Sequence, residues 1–281
     1  MRAEDAKAAR SDQAVTGPIL AVEGLTKQFD GPPLLQVLAG IDFTVGEGEF
    51  VSIVGPSGCG KTTLLLLLSG LQRADAGVVR FADDVVRDAT PEGMAIVFQD
   101  YSRSLLPWKT NLSNVLFGMR RVAGRSQAKK NEHATSLLDA VGLAGFADRY
   151  PWQLSGGMQQ RVAIARGLAS QSRLLLLDEP LASVDAQTRA DLQDLLLSIA
   201  QRYRQTCVLV THDVEEAIYM GDRIVVLSNR PSQVVREIAV PLPRPRDQIE
   251  TRETKTFLYI RHDVLSLIRS QRHAGTKGAA P

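Results

Sequence analysis

Residues Gly55 to Thr63 read Gly-Pro-Ser-Gly-Cys-Gly-Lys-Thr-Thr and match the spacing G-x-x-x-x-G-K-[ST]. The apolar run Phe50–Val54 precedes them and a leucine-rich helical stretch follows. No other feature constrains the fold as far. Small residues between a buried strand and a helix let the backbone wrap an anion with several N–H groups pointing inward. The helix adds the positive end of its dipole. Gly55, Pro56, Ser57, Gly58, Cys59, Gly60 and Thr63 are therefore the expected cradle of a nucleotide. Lys61 is the expected partner of its β- and γ-phosphates, and the Thr62 hydroxyl is an expected ligand of Mg²⁺. Cys59 is a small residue whose backbone N–H is what matters.

Short apolar runs alternate with turns and helical patterns along the rest of the chain. Ile19–Val22, Ile41–Val45 and Glu49–Val54 are expected strands. Leu174–Leu177, Cys207–Val210 and Ile224–Leu227 read as fully buried ones. Such alternation indicates an α/β core with a mostly parallel sheet. Residues 100–177 break the pattern. Leu112, Val115, Leu116 and Met119, then Ala134, Leu137, Leu138 and Val141, follow helical spacing, so a helical lobe over about 100–170 is expected as an insertion.

Two further segments carry chemistry. Leu174–Leu177 runs into Asp178 and Glu179, and an Asp delivered by a buried strand suits Mg²⁺, which takes few protein carboxylates. Glu179 would then stand where it can orient or deprotonate a water. The same two acids could cap a strand at a surface turn, but acids beside four leucines are costly unless they face a metal. His212, after Cys207–Val210, occupies another strand's C-terminal end, where α/β sheets bind ligands, although a lone His is often a satisfied structural residue. Ser155-Gly156-Gly157 opens a helix from Met158 to about Ser170, with Ser155 as its N-cap and bare backbone beside it. The chain thus holds two anion-ready helix starts in different lobes. One nucleotide can be gripped by both only if they meet within the chain or across a dimer.

The 281 residues carry 33 Lys+Arg against 31 Asp+Glu and are 44% hydrophobic, which excludes disordered and fibrous classes and gives no reason to expect nucleic acid. The longest apolar run is far short of the ~20 residues that cross a bilayer, and no secretory signal opens the chain, so a cytosolic protein is expected. The two cysteines, Cys59 and Cys207, form no disulfide framework or metal site alone. Residues 1–17 are expected to be a mobile tail. From Pro241 the chain turns Pro- and Arg-rich, with one more helix around Phe257–Arg269. A solvated, mildly basic tail is the reading of residues 244–281.

Taken together, these motifs resemble those of the ATP-binding cassette ATPases. Leu154-Ser-Gly-Gly-Met-Gln-Gln-Arg161 is similar to their signature motif, which would bring Ser155, Gly156, Gly157 and Gln159 to a nucleotide. Gly55–Thr63 resembles their Walker A loop, Leu174–Asp178 their Walker B strand, Glu179 their catalytic glutamate, Gln99 their Q-loop and His212 their switch histidine. Phe29 is similar to the aromatic that stacks on adenine, and equally fits a core position. Leu181-Ala-Ser-Val-Asp185 stands where Ser-Ala-Leu-Asp is usual in the D-loop, with Asp185 kept. The resemblance covers residues 18–243. It implies a P-loop NTPase core, mostly parallel with an antiparallel N-terminal β subdomain, plus the inserted helical lobe. It also implies ATP and Mg²⁺ as cofactors, with Thr62, Asp178 and Gln99 organising metal and water. Finally, it implies a head-to-tail homodimer in which each ATP lies between one copy's Walker A loop and the other's signature turn.

Leu105-Leu-Pro-Trp108, Val226-Leu-Ser-Asn-Arg230-Pro231 and Pro241-Leu-Pro-Arg-Pro-Arg-Asp247 resemble the ATPases that drive nitrate, sulfonate and taurine import. That implies integral membrane permease subunits and an external solute-binding protein as partners, and a place on the cytoplasmic face of the inner membrane through the permease. The apolar, aromatic loop Leu105–Trp108 is either core or, if exposed, a docking site. A soluble regulator or repair factor built on the same cassette is the rival reading. One cassette and a short helical lobe disfavour it.

Overall fold

The computed structural model describes residues 17–182 and 184–276, so the expected tail of residues 1–17 falls almost entirely outside the described residues. In chain order the elements are β1 (Leu20–Phe29), β2 (Leu35–Val45), β3 (Phe50–Val54), α1 (Lys61–Leu68), β4 (Ala76–Phe81), β5 (Asp84–Val85) and β6 (Met94–Val97). The lobe that follows holds α2 (Tyr101–Ser104), α3 (Asn111–Gly118), α4 (Gln127–Ala140) and α5 (Gly156–Ala169). The chain then returns through β7 (Leu174–Asp178), α6 (Ala186–Tyr203), β8 (Thr206–Val210), α7 (Val214–Met220), β9 (Arg223–Leu227), β10 (Val234–Ala239), α8 (Glu250–Glu253) and α9 (Lys255–Thr276).

The central sheet has the order β10-β9-β3-β8-β7-β6, parallel except for the edge strand β10. The second sheet, β2-β1-β4-β5, is antiparallel throughout. Alternation along a strand explains why the central strands are apolar on both faces. Leu174 and Leu176 pack into one core with α1 and the antiparallel sheet, while Leu175 and Leu177 pack into the other with the helical lobe. All five residues of β3, β7 and β8 are buried. The C-terminal ends of β3, β7 and β8 consequently lie side by side, bringing the phosphate loop, Asp178-Glu179 and His212 to one edge.

The inserted lobe packs through α3 and α5, and the approach is close. A Cβ on Gly118 would lie 2.3 Å from the Arg166 carbonyl oxygen, so only glycine fits there.

The expectation of a solvated tail after Pro241 is corrected. The helix is present, but Phe257, Ile260 and Val264 of α9 are buried in the main core. The surplus bases are paired with acids from earlier in the chain. Arg244 meets Asp222 at 2.7 Å, and Arg252 and Arg261 meet Glu215 at 3.3 and 2.9 Å. Arg246 is buried and donates to the carbonyls of Ile218 at 3.2 Å and Gly221 at 2.9 Å, capping the end of α7. Among the described residues no helix is long and apolar enough to cross a membrane.

Candidate active site

The phosphate loop closes on Gly60, whose φ of 106° lies in the left-handed region and turns the chain into α1. Lys61 then folds back across the loop. Its Nζ donates to the carbonyls of Gly55 at 3.0 Å and Pro56 at 3.2 Å, and the side chain is buried. Cys59 is also buried, and burial pushes its thiol above the usual range, which suits the passive role expected for it. The Thr62 hydroxyl donates to Asp178 Oδ1 at 3.3 Å, joining loop and acidic strand.

Asp178 is buried at the end of β7, and this pushes its carboxyl up to about 6. Burial is the main cause, the charge of Glu179 adds to it, and the Thr62 hydrogen bond and Lys61 oppose it. A carboxylate in this position gains from a hard cation beside it. Thr62 and Asp178 are oxygen ligands of the kind Mg²⁺ prefers, so the residues present fit that ion.

Glu179 follows with φ 45°, an unusual conformation for a residue with a side chain, and its N–H donates to the Val210 carbonyl at 2.9 Å. Gln99 Nε2 donates to Glu179 Oε2 at 3.2 Å, and His212 Nδ1 lies 2.9 Å from the same oxygen. Three residues expected at the reacting end, contributed by three separate segments, therefore converge on one carboxylate oxygen. Gln99, expected at both metal and water, is bonded to Glu179.

Beside them lies a cleft of ≈ 390 Å³ lined by Ser57, Gly58, Gly60, Lys61, Thr62, Thr63 and Glu179, with Phe29, Leu35, Val37 and Arg230 on its far side. Phe29 is half exposed, with the Lys27 ammonium 5.5 Å from its ring centre. A ring so placed can stack on a base while the loop holds the phosphates.

The second anion-ready turn stands elsewhere. Ser155 caps α5, its hydroxyl accepting from the Met158 N–H at 3.4 Å, and Gln159 Nε2 donates to the Leu154 carbonyl at 3.2 Å. Asp185 caps α6 by accepting from the Thr188 N–H at 3.0 Å, a bond that holds its carboxyl below the ordinary range. Among the described residues that line the cleft, none belongs to Ser155–Gln159 and none is Asp185. The structure therefore brings the phosphate loop, Asp178, Glu179, Gln99, His212 and Phe29 together, and leaves Ser155, Gly156, Gly157, Gln159 and Asp185 outside.

Two residues stand near the site without a role that the motifs assign to them there. A Cβ on Gly156 would lie 2.5 Å from the Tyr101 hydroxyl, so Tyr101, two residues after Gln99, packs against the second turn. Arg230 reaches the phosphate loop from the β9–β10 turn. The loop Leu105–Trp108 divides between its two expected fates: Leu105 is buried and Trp108 is 71% exposed.

The chain as a whole is similar to known proteins. The family described as ABC transporter matches residues 38–182. The nitrate import ATP-binding protein NrtC of Synechococcus elongatus is 41% identical over 259 residues, covering 91% of this chain, which spans only 39% of that relative. The aliphatic sulfonates import ATP-binding protein SsuB 2 of Agrobacterium fabrum is 42% identical over 264 residues, covering 94% of this chain and 95% of the relative. Among solved structures, the dimeric post-hydrolysis state of the ATP-binding cassette MJ0796 bound to ADP and Pi is 33% identical. It superposes with a TM-score of 0.71 over 79% of this chain and 98% of that one.

Proposed function

We propose that this chain, which belongs to the ABC transporter family and is an ATP-hydrolysing subunit, drives import of a small solute such as a sulfonate, taurine or nitrate. Two copies close head to tail around two ATP molecules. The observation that carries this reading is the split between the two anion-ready turns. Phosphate loop, Glu179 and Phe29 share one cleft, and the Ser155 turn is absent from its lining. A second copy supplies that turn, so ATP bridges the two chains, and closure is limited by how much better ATP binds the closed form.

Within each site the chain's own groups have distinct tasks. Lys61 and the loop N–H groups stabilise the charge that develops on the γ-phosphoryl group, with Ser155 of the second copy opposite. Thr62 and Asp178 would hold Mg²⁺, which would neutralise phosphate charge. Glu179 accepts a proton from the attacking water as its oxygen bonds to the γ-phosphorus and the bond to the β–γ bridging oxygen breaks, leaving ADP and phosphate. Gln99 orients the Glu179 carboxylate, and His212 passes between that carboxylate and the γ-phosphate. Permease subunits in the inner membrane hold the chain at the cytoplasmic face, docking near exposed Trp108. An external binding protein selects the solute. The relatives named for nitrate and aliphatic sulfonate import support that choice of class.

The test is ATPase activity in liposomes with the co-purified permease and binding protein, in the presence of nitrate, taurine or an alkanesulfonate. One of these should stimulate wild-type turnover several-fold, while Glu179→Gln should hold ATP and stay flat. Stimulation by none of them, or turnover by Glu179→Gln, overturns the reading.

A further inference from the structure

The turn joining β9 to β10 is fastened to the phosphate loop. The Ser232 hydroxyl donates to the Cys59 carbonyl, the Ser232 N–H donates to the Val37 carbonyl at 2.9 Å, and the Ala39 N–H donates back to Ser232 at 2.9 Å. The Ser228 N–H closes the turn on the Gln233 carbonyl at 3.0 Å. Arg230 projects from this turn onto the loop. Its Nη2 lies 3.0 Å from where a Cβ on Gly58 would stand, and it lines the same cleft as Lys61 and Thr63. The residue is exposed, and among the described residues its guanidinium has no hydrogen-bond or ion-pair partner.

We propose that Arg230 is a polyphosphate-binding residue of this site, its guanidinium donating to phosphate oxygens of the ATP held by the phosphate loop. A planar fork of donors matches phosphate oxygens, and Arg keeps its charge at any working pH. The turn's hydrogen bonds to Cys59 and Val37 hold the Arg230 backbone at a fixed distance from the cradle, so little ordering is needed when the nucleotide arrives. A solvated arginine that merely rests against Gly58 is the simpler alternative. It gives no reason for an unpaired cation to line a cleft built for a polyanion. The inference rests on ATP binding by the loop and not on the dimer or the solute.

The experiment measures dissociation constants for Mg-free ATP and for inorganic tripolyphosphate by displacement of a fluorescent nucleotide. Arg230→Gln should weaken both about tenfold, as loss of one charge-assisted hydrogen bond does, and Arg230→Lys, which keeps the charge without the fork, should recover only part of the affinity. Phe29→Ala should weaken ATP and leave tripolyphosphate unchanged, which separates base stacking from phosphate binding. Unchanged ATP affinity in Arg230→Gln, or a loss seen with ATP but not tripolyphosphate, overturns the proposal. Because these affinities are read on the isolated chain, they stand even if import or dimer closure fails its own test.

Discussion

Asp178 carries the sharpest electrostatic conflict at the residue scale. Burial raises its carboxyl from 3.8 to about 6, so the folded chain holds a proton that the unfolded chain releases between those values. The neutral form favours the fold fully below about pH 4, and that contribution disappears as pH rises through 6. Above it, the ionised carboxylate costs the metal-free protein about 2–3 kcal/mol. Asp178→Asn should therefore raise the metal-free melting temperature at pH 7.5, by on the order of 5 °C, and give no gain at pH 4. Thermal unfolding at both pH values checks this, and an equal gain at each would contradict it. Lys61, Thr62, Asp178, Glu179 and His212 were legible in the sequence because each abuts an apolar run whose burial fixes its place. The left-handed turn at Glu179 was not, because it depends on an N–H reaching Val210 on a neighbouring strand. Arg230 was legible only through a resemblance, since its position beside Gly58 is set by Ser232 reaching Cys59 across 173 positions of sequence.

At the scale of elements, legibility followed the length and purity of the apolar runs. The strands β3, β7, β8 and β9 are uniform enough to announce themselves. In contrast, β4 and β10 are largely exposed or partly buried, and β5 has two residues. The C-terminal helix was found but the role of its stretch misjudged, because the acids that pair with its bases, Asp222 with Arg244 and Glu215 with Arg252 and Arg261, belong to an earlier stretch of chain. Its apolar positions, Phe257, Ile260 and Val264, have helical spacing and are buried. Phe257→Ala should cost about 3–5 kcal/mol of unfolding free energy, the usual range for a buried phenylalanine. Tyr259→Ala, on a side chain 73% exposed, should stay within about 0.5 kcal/mol. Denaturant titration of both variants separates a packed helix from a tail: similar small losses would mean that α9 contributes nothing to the core.

At the scale of the whole molecule, the question is where the catalytic halves meet. If the Ser155 turn served its own chain's phosphate loop, damage to either motif would inactivate that chain and mixing could not help. If the turn serves a second copy, two differently damaged chains complement each other. Lys61→Ala destroys the phosphate loop and spares the signature turn, while Ser155→Arg does the reverse. Each variant alone should be inactive. In a mixed dimer, the intact loop of the Ser155→Arg chain faces the intact turn of the Lys61→Ala chain, and one of the two sites is whole. Equal mixing makes half of the dimers mixed, each with one working site, so roughly a quarter of wild-type turnover should return if the sites act independently. The recovered rate should also depend on protein concentration, because it requires association. A mixture as inactive as its components would show either that both sites must be intact or that the halves meet within one chain. Measuring ATP-dependent association of the mixed pair separates the two, since only a composite site makes nucleotide strengthen that dimer, and pairing indifferent to ATP would end the composite-site account.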